Sequence, residues 1–538
     1  MTFRKTPASR HLLQKAAAAA FFLFAGAAIL LLVLGKALDH DEHQFVASGA
    51  LLARRSLLPY RDYPYFHTPN LVFVYGLLFK RFSYLLLTAR LFSAACALAA
   101  VLAVFALAMK AFGQHAFAIR FGAGAGAGLL FMANPLFAQT SARAWNHDAG
   151  VLLVLLAFVA ACAARRRARS SAWMAAVGLL LGLAVGTRLT FVTVVPAFFV
   201  MFGREESSID PRLYFKSKRR RTLRRIIAFA SGLIAGLLPV FWMFFLASCQ
   251  FIFGNFQYPL LNTAFRISGG DKYGTGTLAR LHFVWTNVLF QPGALILLML
   301  LVATLRQAAR SKAVAFRFER RFLPMLILYL LIGSFAPDPA FEQYFYAIIP
   351  FIVLWIVYEL AAIARDERST RTLRMPAIIA AIAVAIAPPQ FVPAQRNWSP
   401  AAWAPLQAHH FGQQVRQLSG GGRVLTLHPI IPLEGGCDIY EEFTTGPFVG
   451  RIAPMIPTDD QPALHILGEG MLSAELRRRP AAAVLAGIEG DPESPLIRYA
   501  TRHHATEVLD VKREKLWVFG PISPSSSQTS DSAPAQNP

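Results

Sequence analysis

Long apolar runs separated by short polar connections fill the first 391 residues of the chain. A helix that crosses a bilayer needs about 20 mostly apolar residues. At that length the pattern predicts eleven spans, near residues 16–38, 85–110, 117–136, 149–164, 172–187, 189–203, 226–247, 283–305, 322–336, 345–363 and 375–391. The first run is longer than the h-region of a signal peptide and ends at Gly35-Lys36, a poor cleavage site, so it reads as an uncleaved anchor. Beyond residue 391 the pattern changes. Short strand-like stretches at residues 424–427, 482–485 and 516–519 and a helical pattern at 496–503 predict a small α/β domain outside the membrane. Residues 523–538 are mostly Ser, Pro, Gln and Asp and are expected to be disordered. The expected fold class is therefore a polytopic α-helical membrane protein: about eleven transmembrane helices in residues 1–391, an α/β domain in 392–522 and a tail in 523–538.

Composition agrees with a lipid environment: 55% of residues are hydrophobic, 15% are charged, and the mean hydropathy is +0.45. The formal charge of +23 would point a soluble protein toward nucleic acid. Its placement removes that reading. One set of alternate connections holds 29 Lys and Arg, and the opposite set within the membrane domain holds 12. Because basic residues are retained on the cytoplasmic side, the N-terminus is expected inside and the C-terminal domain in the periplasm. The four cysteines form no CxxC and no zinc-ligand spacing. Cys249 and Cys437 both fall on the outer side, which leaves a disulfide between them open.

Small residues recur four apart at Gly178, Gly182 and Gly186, at Gly232 and Gly236, and in the run Gly122, Gly124, Gly126, Gly128, a spacing that lets helix backbones approach. Neither residues 186–188 nor residues 270–274 follow the P-loop pattern, so nucleotide hydrolysis has no support.

Ionisable groups beside a bilayer are costly and mark candidate sites. Three clusters fall on the predicted outer face. The first runs from Asp39 through His40, Asp41, Glu42 and His43 to Gln44, and the same long loop continues to Arg61, Asp62, the Tyr60/Tyr63/Tyr65 series and His67. The second is Arg143-Ala144-Trp145-Asn146-His147-Asp148, and the third runs from Pro337 and Asp338 to Glu342 and Tyr344. Each has a plainer reading as a solvated helix end, and Asp148 is also well placed to cap a helix. The aromatics, which include Phe256 and Tyr258, offer faces for a sugar or a lipid tail, but interfacial belts of Tyr and Trp are the commoner reason for such residues. In the outer domain, residues 432–442, followed by Thr445-Gly446-Pro447-Phe448, read either as a loop after a strand, the default, or as an acceptor-recognition segment beside the membrane cavity.

Taken together these segments resemble the GT-C superfamily of integral-membrane glycosyltransferases, of the protein mannosyltransferase and aminoarabinose transferase type. The resemblance is carried by Asp41-Glu42 after the first span, by residues 49–62 ending in Pro59-Tyr60-Arg61-Asp62, by Pro69 and Gly76 ahead of Arg90, by Asp148, and by Phe341-Glu342-Gln343-Tyr344 with Pro350. It covers roughly residues 16–360. Where aminoarabinose transferases have an acid and a lysine before the loop proline this chain has His67-Thr68, and Arg55-Ser56 replaces the usual glycine. Sugar specificity is therefore not carried over.

The resemblance implies inverting transfer of a sugar from a polyprenyl-phosphate donor to a hydroxyl of an envelope lipid, glycan or protein, at a bacterial inner membrane. The chemistry asks for a carboxylate to take the hydroxyl proton, with Asp41 as the candidate base beside Glu42. It also asks for cations where the lipid phosphate leaves, for which Arg61 and Arg143 are candidates. Asp148 would orient the acceptor or hold a cation, and Asp62, His67, Glu342 and Tyr344 are candidates for binding substrate. No cofactor is fixed by the sequence, and a divalent metal held among Asp41, His43, His67 and Asp148 is conceivable. A transporter or flippase for a lipid-linked or anionic substrate is the alternative. It would place polar groups at mid-span in repeated broken helices, whereas here they gather at outer helix ends. A third reading is a non-catalytic scaffold.

Overall fold

The computed structural model describes residues 7–166, 170–202, 211–269, 275–311, 314–367, 374–387, 391, 399–511 and 514–519. The tail 523–538, the segment 270–274 and the linker around residue 392 lie outside the described residues.

The membrane part is built from α1 (Pro7–Gly35), α2 (His40–Arg55), α3 (Asn70–Phe79), α4 (Leu85–Ala111), α5 (Phe117–Met132), α6 (Pro135–Thr140), α7 (His147–Arg166), α8 (Ser170–Thr187) and a 3-10 helix Leu189–Phe202. There follow α9 (Pro211–Leu246), α10 (Ser248–Ile252), α11 (Tyr258–Ser268), α12 (Thr277–Val284), α13 (Pro292–Arg310), α14 (Arg317–Phe335), a 3-10 turn Glu342–Ile348, α15 (Ile349–Glu367) and α16 (Arg374–Ala385). Among the described residues, seven helices are long and apolar enough to cross a membrane.

The other four predicted runs depart from a full apolar span, each for a local reason. Residues 117–132 and 374–385 form helices too short for one. The run beginning at Leu189 winds as a 3-10 helix containing Pro196, which cannot donate to an α-helical ladder. The run near 322–336 is helical from Arg317, but its first turns carry Arg317, Glu319, Arg320 and Arg321. The eighth predicted span is also shifted. It opens as α12 and a π-helical turn, breaks at Gln291, whose backbone is extended, and restarts on Pro292 as α13.

The C-terminal part comprises α17 (Ala404–Leu418), β1 (Val424–Thr426), α18 (Ile430–Gly435), α19 (Pro447–Ile452), α20 (Glu469–Arg478), β2 (Ala483–Ala486), α21 (Ser494–Arg502), β3 (Thr506–Val511) and β4 (Glu514–Val518). The sheet order is β1-β2-β4-β3, with β1 parallel to β2 and the other pairs antiparallel. This domain is not carried on a stalk. One continuous core joins Phe45, Leu51, Tyr60 and Tyr75 of the segment between α1 and α4, and Leu86 at the start of α4, to Ala408, Val424, Ile430, Cys437 and Val518. Polar bonds pin the same seam. Arg54 donates to the Leu433 carbonyl at 2.7 Å, Arg55 pairs with Glu441, and buried Glu434 accepts from the Leu86 amide at 2.7 Å. Residues 432–442 therefore form much of this docking seam. Cys437 is buried and bonded to Ser419 at 3.8 Å, while Cys249 is exposed, so the disulfide left open above is not formed.

Of the glycine series, Gly178 and Gly182 on α8 and Gly232 and Gly236 on α9 lie at a helix crossing. A Cβ on Gly178 would sit 2.0 Å from the Phe229 carbonyl oxygen, and one on Gly232 would sit 2.0 Å from that of Ala175. Gly122 and Gly126 face open space. Gly178→Val is expected to push the two backbones apart and cost about 1–3 kcal/mol, read as a lowered Tm in detergent. Gly126→Ala should leave Tm unchanged. An equal effect of the two would show that the crossing is not the constraint.

Candidate functional site

One end of the helical bundle surrounds a cavity of about 850 Å³ lined from the α1–α2 junction, the loop before α7, the Arg188 corner, α11, the turn before α15, and α19 of the C-terminal domain. Asp41 reaches it because of how α2 starts. Asp39 is the N-cap and accepts from the Asp41 amide at 2.9 Å, while Glu42 reaches back to the Asp39 amide at 3.0 Å, a reciprocal capping box. That geometry leaves Asp41 in the first helical turn. Among the described residues its carboxylate has His40 Nε2 at 3.4 Å and no closer donor. Burial raises the Asp41 pKa above the usual carboxylate range, and the nearby His40 works against that rise.

Glu42 does not share this role. Its side chain is fully buried and paired bidentately with Arg90 at 2.8 and 2.6 Å, and it also accepts from the Ala144 amide at 2.8 Å. Arg90 spends its remaining N–H groups on the carbonyls of Val33, Lys36 and Ala37, closing the end of α1. Burial alone would raise the Glu42 pKa, but the Arg90 charge and hydrogen bonds outweigh it and hold it low. Glu42 is thus the buried tie between α1, α2, α4 and the loop at Ala144. Asp148 is similar. It accepts from the Ala142 amide and the Tyr346 hydroxyl, both at 2.9 Å, behind the cavity wall. Of the three acids singled out as catalytic from sequence, only Asp41 is open to the cavity.

The other candidates separate in the same way. Arg61 and Asp62 pair with each other at 2.6 Å near the surface, away from the cavity, and Asp62 also accepts from the Leu58 amide. Arg143 lines the cavity, 3.4 Å from Asp39 and stacked over Trp145. Glu342 lines it and accepts from Gln139, and Tyr344 lies beneath the Arg188 guanidinium, 4.5 Å from its ring centre. His67 lines it stacked on Phe45, and burial depresses its pKa to about 3, so it is neutral.

The structure adds residues that sequence reasoning did not select. Arg188 is 9% exposed, donates to Thr190 at 3.0 Å, touches His147, and has no carboxylate partner among the described residues. The available signal was a lone arginine between two apolar runs. Arg266, stacked over Phe341, also lines the cavity, as do Arg451 from the C-terminal domain and its neighbour Phe448, which closes the segment read above as a candidate for acceptor recognition. Nothing in the sequence pairs those last two with residues near position 40.

Against the cavity lies an apolar groove of about 620 Å³. On α12, Phe283 faces the cavity while Leu281, Val284 and the neighbouring Trp285 line the groove. Leu281 and Trp285 are exposed on its outer side.

The four metal candidates are not brought together. His43 packs edge-on against His428, ring centres 5.1 Å apart, and Asp148 is engaged as described. The ligand atoms that do lie within 4.8 Å of one another belong to Asp39, His40 and Asp41. Arg143 already offsets the charge of Asp39 there.

No family profile and no curated protein sequence matches the chain. Solved structures do. It is similar to ArnT from Cupriavidus metallidurans in the apo state, with a TM-score of 0.58 at 13% identity over 95% of this chain and 98% of that one. The same protein bound to undecaprenyl phosphate gives a TM-score of 0.57 at 14% identity over the same shares, 95% and 98%. The chain has the GT-C fold, at nearly full length on both sides.

Proposed function

We propose that this chain, built on the GT-C fold, is an integral-membrane glycosyltransferase that moves a sugar from a polyprenyl-phosphate donor to an envelope acceptor hydroxyl. The site would face the periplasm, with inversion at the anomeric carbon and Asp41 as general base. One observation carries the reading: a single cavity joins Asp41, a carboxylate with no donor closer than 3.4 Å among the described residues, to Arg188, a buried arginine without a carboxylate partner among them, beside an apolar groove. That a protein of this fold binds undecaprenyl phosphate supports a polyprenyl carrier.

In the proposed reaction the acceptor oxygen attacks the anomeric carbon while its proton passes to Asp41, and the bond from that carbon to the phosphate oxygen breaks. Polyprenyl phosphate leaves with the electron pair. Arg188, with Arg143 and Arg266 near it on the cavity wall, supplies positive charge where the phosphate becomes more negative. The isoprenoid tail lies in the groove lined by Leu281, Val284 and Trp285, where burial of apolar surface holds it. Phe448 and Arg451 close the cavity from the outer domain, and Glu342, His67 and Tyr344 contact sugar or acceptor. A divalent cation, where one is used, would be held by Asp39, His40 and Asp41 and would add charge stabilisation. The arginines fill that role in the scheme above.

The test is transfer in proteoliposomes supplied with a panel of polyprenyl-phosphate sugars and envelope acceptors. Wild type is expected to release polyprenyl phosphate in step with glycosylated product. Arg188→Gln should reduce kcat/KM for the donor about 10²–10³-fold. Transbilayer movement of the intact donor without product would replace the reading with a flippase.

A further inference from the structure

A second concave site lies at the opposite end of the bundle. α7 and α15 lead away from the cavity-lining residues Asn146 and Tyr344, which precede them, and carry Arg165 and Arg365 in their last turns, while α14, which ends just before Ala336, begins at Arg317. Together with Lys110, at the end of α4, these residues line a cup of about 590 Å³. Four cations from four helices thus face one space, and buried Glu319 is the single carboxylate among its described lining residues. Elsewhere on the same helix the charge is neutralised, since Arg320 pairs with Glu359 at 2.6 Å. Among the described residues Lys110, Arg317 and Arg365 have no such partner, and Arg165 lies flat over Phe318, 4.7 Å from its ring centre. Converging like charges repel one another unless an anion sits between them.

The cup continues into a narrower slot of about 180 Å³, which shares Lys110 and Cys162 with it and is otherwise lined by apolar residues such as Leu107, Val159 and Trp173. A cationic mouth at a helix-end interface above an apolar slot matches an amphiphile with an anionic head. Guanidinium groups suit phosphate in particular, because their paired N–H donors match two of its oxygens.

We propose that this cup binds the phosphate-bearing headgroup of an anionic membrane lipid, with part of an acyl chain in the slot, in the leaflet opposite the acid-lined cavity. Basic pockets between membrane helices suit such headgroups. Occupancy ties together α4, α7, α14 and α15, the last three of which carry or adjoin cavity-lining residues at their other ends. The site stands independently of the transferase reading.

The test uses the full-length protein in detergent, titrated with dioleoyl phosphatidylglycerol, with tetraoleoyl cardiolipin, with dioleoyl phosphatidylcholine, or with inorganic phosphate alone. Thermal unfolding and native mass spectrometry are read in parallel. The anionic lipids are expected to raise Tm by about 2–4 °C and to be retained on the protein, while phosphatidylcholine does neither. In Arg317→Gln/Arg365→Gln, and in Lys110→Gln as a milder change, retention should weaken, by at least about tenfold in the double variant. Arg220→Gln, which removes an exposed charge at the same end but outside the cup, should behave as wild type. Inorganic phosphate reproducing the full shift would assign the cup to a soluble phosphate and overturn the lipid reading. Equal retention by all variants, or equal loss in Arg220→Gln, would overturn the site altogether.

Discussion

Asp41→Asn is expected to lower kcat for sugar transfer by about 10²–10⁴-fold while leaving Tm and donor binding close to wild type. Asn keeps the size and the polar surface of the side chain but cannot take a proton from the attacking hydroxyl. No buried salt-bridge partner is lost among the described residues, because the one ion pair of the Asp41 carboxylate is with half-exposed His40, at 3.4 Å. The pH profile supplies a second readout. Burial raises the Asp41 pKa, so its base form is lost as pH falls through a value above the ordinary carboxylate range. The acid limb of kcat should therefore sit higher than for an exposed aspartate, and it should vanish from the residual activity of the Asn variant. A variant within tenfold of wild type, or an unchanged acid limb, would remove Asp41 from the mechanism.

Glu42→Ala, one residue along, is expected to act on folding rather than on chemistry. It strands the Arg90 guanidinium in a site where both side chains have no exposed surface, and removing one partner of such a pair costs about 3–5 kcal/mol. The amides of Asp39 and Ala144 lose their acceptor as well, so the end of α1, the start of α2 and the Ala144 loop come apart together. Little protein should survive extraction, and what does should unfold at a clearly lower temperature by fluorescence-monitored melting. Arg90→Met should be damaging too, because it also frees the carbonyls of Val33, Lys36 and Ala37. A well-folded, inactive Glu42→Ala would reverse the assignment and make Glu42 a member of the reaction centre.

This pair shows where sequence reading ends. An acidic pair after a membrane helix announces a site, yet it does not say which carboxylate faces the cavity. In the first turn of a helix, neighbouring side chains point about 100° apart, and only the position of Arg90, 48 residues further along, decides that Glu42 turns inward. The same holds for Arg61, which the loop pattern offered as a phosphate ligand and the fold sets beside Asp62 at the surface. Arg188 shows the converse. It stood alone between two apolar runs, and the fold made it a buried cation of the cavity by bringing His147 and Tyr344 to it.

What the sequence determined by itself was the environment and the division of charge between the two ends of the bundle. Apolar length specifies helices that suit a bilayer, because backbone groups in lipid must be satisfied within the segment. The uneven distribution of Lys and Arg set one end of the bundle apart as cationic, and the acids gathered in the connections at the other. These are local or additive properties, readable without contacts. The tertiary structure decided which of the acids remains free, which arginines meet it, that the C-terminal domain contributes Phe448 and Arg451 to the same wall, and that four cations at the opposite end enclose a cup. Each of these depends on residues far apart in the chain meeting within a few ångströms, and that is settled by packing rather than by any periodicity along the sequence.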